Sequence, residues 1–431
     1  MFTLDSVEQP RSTPSKSRGR AESSKILSRR QWTAYLPSLK GRTSVSSRSS
    51  FTRACILLVF HAIASLQLRG QTTVHKNLSF RPRQEIPAGQ FMGNQSCVSC
   101  HQATSRSQSD TDMAHALGLP GENRVLRSHP HMRFRAGQYT YEIITDANQS
   151  TFLVTDGKQI ITEPIAYVFG NAHLAQTYVL QHNGRLYEGR VSYYTAVDGL
   201  DWTIGDALNP PPSLEAAFGR DITGDEAKNC FSCHGTGAIT DNQLRLDHLT
   251  PGVTCEACHG PGDTHVVVAQ SRTGEAGAIF NAKSLSPNTL SQEFCGACHR
   301  SADAVGMMPD LGGAMNVRFQ PYRLARSRGH DSNDPRLACT ACHDPHIDLS
   351  QQAADSDSKC TVCHSTAGSG STSVVDNRHG SGANTRVAKS CPISREKCTS
   401  CHMPKIEILG THLKFTDHRI RIVRPGAPYP I

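Results

Sequence analysis

Seven copies of one pentapeptide, Cys-x-x-Cys-His, dominate what this 431-residue chain can become. They begin at Cys97, Cys230, Cys255, Cys295, Cys339, Cys360 and Cys398, and they take up 14 of the 16 cysteines. At the chain's Cys and His frequencies chance supplies on the order of 0.03 copies, so the repetition reports chemistry. Two thiols three positions apart can each add to a vinyl group of one porphyrin, and the imidazole that follows then reaches the iron from one side. Zinc is the competing reading, but structural zinc needs four nitrogen or sulfur ligands and makes no demand for His after every second Cys. A thioredoxin-like role would need a single pair near a βαβ pattern.

The spacing therefore predicts seven covalently bound haem c groups. The attaching residues are Cys97, Cys100 and His101, then Cys230, Cys233 and His234, Cys255, Cys258 and His259, and Cys295, Cys298 and His299. Cys339, Cys342 and His343, Cys360, Cys363 and His364, and Cys398, Cys401 and His402 complete the set. Only 37% of the chain is hydrophobic and 6% aromatic, a thin supply for two or three domains. Seven apolar porphyrin discs would make good the deficit, and removing them should remove the fold.

The net charge of +8 suggests nucleic acid, yet residues 1–53 carry 11 Lys/Arg against Asp5, Glu8 and Glu22, which accounts for all of it. The remaining chain is balanced, so a nucleic-acid partner is excluded. The basic stretch runs into an apolar core, Ala54 to Ala64, in which Ala62-x-Ala64 fits a small-residue cleavage site. Residues 1–70 are read as a basic leader and export signal, with an uncleaved anchor as the alternative, and the mature product as periplasmic or extracellular. Of the two cysteines outside motifs, Cys55 leaves with the leader and Cys391 is expected to be a buried, inert thiol.

Three parts follow the leader. Residues 90–128 form a first haem module, with a helix expected over Gln102 to Leu119 before Pro120-Gly121. Residues 129–204 lack cysteine and alternate β-branched and aromatic side chains around Asp156-Gly157 and Asn183-Gly184, which predicts antiparallel hairpins. Residues 205–431 hold six motifs in an irregular array with a C-terminal tail; the Gly/Ser-rich run 365–386 reads as a flexible loop, and 406–431 as a tail wrapping the surface. The fold expected is a mainly α and irregular multihaem array with an inserted small antiparallel β region.

Each motif supplies one axial ligand, and what fills the other face of each iron separates carrier from enzyme. Twelve histidines beyond the motifs and the leader region are available for seven positions, enough for complete bis-His ligation. His265 and His346 follow a motif through a Gly/Pro turn and can reach a neighbouring haem. His418 comes next, with Asp417 or another group orienting its ring, and His412, His330, His248 and His379 are further candidates. Met113 and His115 compete for the first haem, while His129, His131, His173 and His182 read as surface residues of the strand region.

The stretches Gly252 to Gly262, Arg318 to Leu324, Leu337 to His346, and Cys398 to Lys405 followed by His412 and Thr416-Asp417-His418 carry a resemblance. Over about residues 90–430 the chain resembles the multihaem cytochrome c family with doubled Cys-x-x-Cys-His motifs. This family is cytochrome c-552/4-like and related to tetrahaem electron-transfer cytochromes and hydroxylamine oxidoreductase. The resemblance implies closely packed haem pairs, a mostly helical and loop-rich fold, and His265, His346 and His418 as distal ligands. Met113 stands where relatives often place a distal His, and the family's Cys-x-x-Cys-Lys catalytic motif does not occur here.

An exported heptahaem cytochrome that relays electrons, served by redox partner proteins or a quinol-linked donor, needs only what the sequence contains. An oxidoreductase of a small nitrogen or sulfur compound would need one open haem beside an acid/base residue, and the surplus of His weighs against it. The third reading makes 129–204 a docking module for a redox partner or surface. The electron carrier is favoured over the enzyme.

Overall fold

Between residues 131 and 202 the alternation of large apolar and polar side chains puts every second residue on one face. In the computed structural model this stretch builds most of a nine-stranded antiparallel sheet. The structure describes residues 80–84, 90–147, 149–206, 210–271, 279–334, 337–352, 356–364, 394, 396–424, 426 and 429. The leader, His379, Cys391 and the run 365–386 lie outside the described residues, as does the side chain of Cys363. The described elements belong to one compact unit, residues 73–431.

The strands are β1 (Leu117–Gly118), β2 (His131–Ala136), β3 (Tyr139–Thr145), β4 (Ser150–Thr155), β5 (Ile160–Phe169), β6 (Ala175–His182), β7 (Arg185–Tyr194), β8 (Gly199–Trp202) and β9 (Gly219–Asp221). Strands β2 to β8 pair in sequence order, while β1 adds to β5 and β9 to β7. The β6–β7 turn has Asn183 and Gly184 both at positive φ, as a two-residue hairpin requires. Register shifts between Ile165 and Tyr167 and between Thr177 and Val179 bend the sheet. Strand β8 returns beside β2, where Phe134 meets Trp202 edge-on at 5.5 Å, so the sheet nearly closes.

The enclosed face buries Tyr141, Ile143, Phe152, Val154, Val168, Tyr178, Leu180 and Val191, sealed by Leu214, Ala217 and Phe218 of a short helix. A second cluster joins the opposite side of β5 to β7 to the haem-binding half: Leu117, Val179 and Leu186 pack with Phe231 of the helix Asp225–His234. Tyr167 and Phe169 meet the Phe231 ring edge-on at 5.0 and 5.1 Å.

The expectation of a mainly helical fold with a small β insert is overturned by this sheet. Two physical reasons account for the error. The described helices are one to three turns long, none exceeding ten residues, because Gly, Pro and Ser interrupt every candidate. The sheet also recruits β1 and β9, which are too short to alternate. The helix expected over Gln102 to Leu119 covers only Gln102–Ser109. Ser107 and Ser109 donate their hydroxyls to the carbonyls of Thr104 and Arg106, competing with the helical ladder at its end. Within the tail, Lys405–Glu407 pairs with Lys414–Thr416, and Asp417 is fully buried. Among the described residues no helix is long and apolar enough to cross a membrane.

Candidate haem-binding site

Each Cys-x-x-Cys-His is wound on about one helical turn, which puts both thiols (i, i+3) and the imidazole (i+4) on one side. Helices Asp225–His234, Cys255–His259, Gly296–His299, Ser356–His364 and Cys398–His402 all end at the motif histidine, and Cys339–Cys342 ends one residue before it. The first motif is different: Cys97 lies in the last turn of Asn94–Val98, and Cys100-His101 precede the next helix.

All seven motif histidines line one cavity of about 4810 Å3. Shared among seven groups this is about 690 Å3 each, within the 300–1,000 Å3 range of ordinary ligand pockets. Thiols of different motifs are neighbours across it. Cys97 lies against Cys255, Cys233 against Cys298, Cys295 against Cys339, and Cys398 against Cys360. Cys258 is near Cys295, and Cys339–Cys342 contacts Ser356–His364, so the motifs form an unbroken branched series.

Three motif histidines face an imidazole from elsewhere in the chain. His101 and His265 have ring centres 6.3 Å apart, His259 and His346 6.1 Å, and His343 and His418 6.1 Å. Direct ring stacking is closer than this. Two imidazoles on opposite sides of one metal, each bonded at about 2.0 Å, hold their centres about 6.3 Å apart. In each pair the second histidine comes from beyond a different motif.

Hydrogen bonds fix the tautomers such ligation needs. Nδ1 of His234, His259, His402 and His418 donates to the carbonyls of Ala116, Phe280, Arg421 and Thr416 at 2.9 to 3.0 Å. His346 Nδ1 donates to Asp344 Oδ1 at 3.1 Å. A donating Nδ1 leaves Nε2 with its lone pair, the arrangement found around metal-ligating histidines. Burial holds His234, His259, His299 and His343 below the usual histidine range and pushes His418 down to about 4, so these rings are neutral. The donor set, the ring spacing and the cavity all fit haem c.

The other ligand candidates divide. His330 and Met113 line the cavity, but His101 faces His265, so neither Met113 nor the exposed His115 is its partner. His412 donates Nε2 to Asp201 Oδ2 at 2.8 Å and packs on Tyr194, against the sheet. His248 is exposed beside Asp247. Of the four strand-region histidines, His129, His131 and His182 pair with Asp198, Glu142 and Glu163, and His173 pairs with Asp112 at the cavity wall.

Three supports outside the motif cysteines and histidines hold these residues in place. Glu256, between the thiols of the third motif, is buried and accepts the backbone N–H groups of Met92, Gly93 and Gly262, each at 2.9 Å. It joins the entry to the first motif to the turn that leads to His265. The start of the third motif is seated by Gly252, at φ +79, where a Cβ would stand 1.9 Å from the Ala114 carbonyl oxygen. On the far side, Asp417 and Arg323, both fully buried, form a bidentate pair at 2.9 Å. Burial pushes the Asp417 carboxyl up, but Arg323, the Arg419 N–H and Arg421 outweigh it and hold it below the usual range. Thus Thr416 orients the His418 ring, and Asp417 instead anchors the segment that carries it.

A family model for cytochrome c554 and c-prime matches residues 213–260, which carry the second and third motifs. The multiheme cytochrome MtrA of Shewanella baltica is 24% identical over 229 residues, a match spanning 46% of this chain and 61% of that protein, under two thirds of its length. The crystal structure of the outer cell wall cytochrome OcwA aligns over 42% of this chain and 34% of its own at 15% identity. Its TM-score of 0.24 carries no argument about fold.

Proposed function

Starting from a multihaem cytochrome c with covalently bound haem and a role in electron transfer, which the family match and the relative support, we propose that this chain is an exported heptahaem electron relay. The observation that carries the proposal is the wall of one cavity lined by seven motif histidines, three of them opposite an imidazole from another part of the chain. Bound haem c supplies one-electron redox chemistry, tuned by axial ligand, hydrogen bonding and burial.

The chain's residues do the rest. His101 with His265, His259 with His346, and His343 with His418 would hold the group at three sites between paired imidazoles, which would leave no room there for a substrate. Carbonyls of Phe280 and Thr416 and the Asp344 carboxylate hold the rings in register. Neighbouring thiols set successive attachment points side by side, so haem groups held there would lie close together, as a relay of single electrons requires. The basic, then apolar, leader sequence supports a mature chain in the periplasm or outside the cell, with redox proteins or a quinol-linked donor as its proposed partners.

Electron paramagnetic resonance of the purified holoprotein tests this reading. The expected spectrum is low-spin throughout, and His418→Ala converts one haem to high spin. A clear high-spin signal in the wild type, with turnover of nitrite or hydroxylamine, would instead establish an enzyme.

A further inference from the structure

Asp112, His173 and Asp348 come from three distant segments, yet each offers one ligand atom within 4.8 Å of the other two. Asp112 follows the helix after the first motif, His173 lies in the β5–β6 loop, and Asp348 is two residues beyond His346. We propose that these three residues bind a divalent first-row transition ion of the zinc type, which straps the sheet to the haem-binding half of the molecule.

The cluster is built rather than incidental. The loop turns sharply at Gly170, whose φ is +86 and where a Cβ would lie 2.6 Å from the Ala175 carbonyl oxygen. Asn171 then accepts the His173 N–H at 2.9 Å and donates its amide to Asp112, while His173 Nδ1 lies 3.0 Å from Asp112 Oδ1. Asp348 is 6% exposed. Its Oδ1 accepts the Ser350 N–H at 2.8 Å and the Ser350 hydroxyl at 2.5 Å. Its Oδ2 is buried with no hydrogen-bond partner.

A buried carboxylate oxygen left without a donor is costly, and a cation is the direct remedy. Ligand atoms about 2.0 to 2.2 Å from one ion sit roughly 3 to 4.4 Å apart, so binding needs a contraction of under about 2 Å. The donor set selects the class. One imidazole with two carboxylates suits zinc and its neighbours, whereas calcium takes six to eight oxygens.

The experiment uses the holoprotein, stripped with EDTA and titrated with zinc chloride by calorimetry, with calcium chloride as the second arm. One saturable zinc site is expected, weakened at least tenfold in Asp348→Asn and in His173→Gln while their Soret and low-spin spectra stay as in the wild type. Zinc also raises the melting temperature of the wild type, reversibly with EDTA, a readout that needs no variant. No saturable zinc binding, binding unchanged in the variants, or calcium bound as tightly as zinc would each overturn the proposal. So would a high-spin band in His173→Gln, which would make His173 a haem ligand.

Discussion

Arg323 belongs to no motif, yet it anchors the segment that carries one of the three facing imidazoles. Its guanidinium grips Asp417 through two hydrogen bonds, reaches Asn316 Oδ1 at 3.2 Å, and lies 4.6 Å under the Tyr429 ring. Removing one partner of a buried ion pair leaves the other charge uncompensated, at a cost of about 3–5 kcal/mol. Arg323→Met should therefore lose about that much in denaturant unfolding at neutral pH and, on the proposed His343–His418 ligation, shift part of one haem to high spin. Arg323→Met combined with Asp417→Leu should recover at least half of the loss; equal losses in the single and double variants would contradict this role. The sequence placed Asp417 beside His418 and suggested that it steers the ring. The partner lies 94 residues upstream, and no local pattern announces a contact of that range.

Among the elements, hairpins were legible and closure was not. Asn183-Gly184 and the alternation of Tyr139 to Thr145 state their strands because turn chemistry and side-chain period are local. β1 and β9 hold two and three residues, too few to show a period, and their pairing with β5 and β7 is set by tertiary packing. Asp221 of β9 shows how such an edge is secured. The Thr223 side chain and N–H, then Arg185, hold its carboxyl down to about 2. An unfolded aspartate titrates near 3.9, so between the two values the unfolded chain binds more protons and acid destabilises the fold. The contribution is complete above about pH 4 and lost as pH falls through 2. The melting-temperature gap between wild type and Asp221→Asn should accordingly be present at pH 7 and shrink between about pH 4 and 2. A gap that ignores pH would contradict the assignment.

At the scale of the whole molecule, the cavity and the composition describe one design. A chain with 37% hydrophobic residues encloses about 4810 Å3 edged by its own cysteines and histidines, and builds a conventional apolar core mainly inside the sheet. The candidate attachment residues stand out in the sequence because covalent spacing is written in consecutive residues. The pairing of His101 with His265 was not, since it depends on the Gly260-Pro261-Gly262 turn and on Glu256 tying that turn to Met92 and Gly93. The pyridine haemochrome assay on purified holoprotein tests the central claim most directly. It should return seven haems per chain; four or fewer, or an intact mass matching the bare polypeptide, would contradict it.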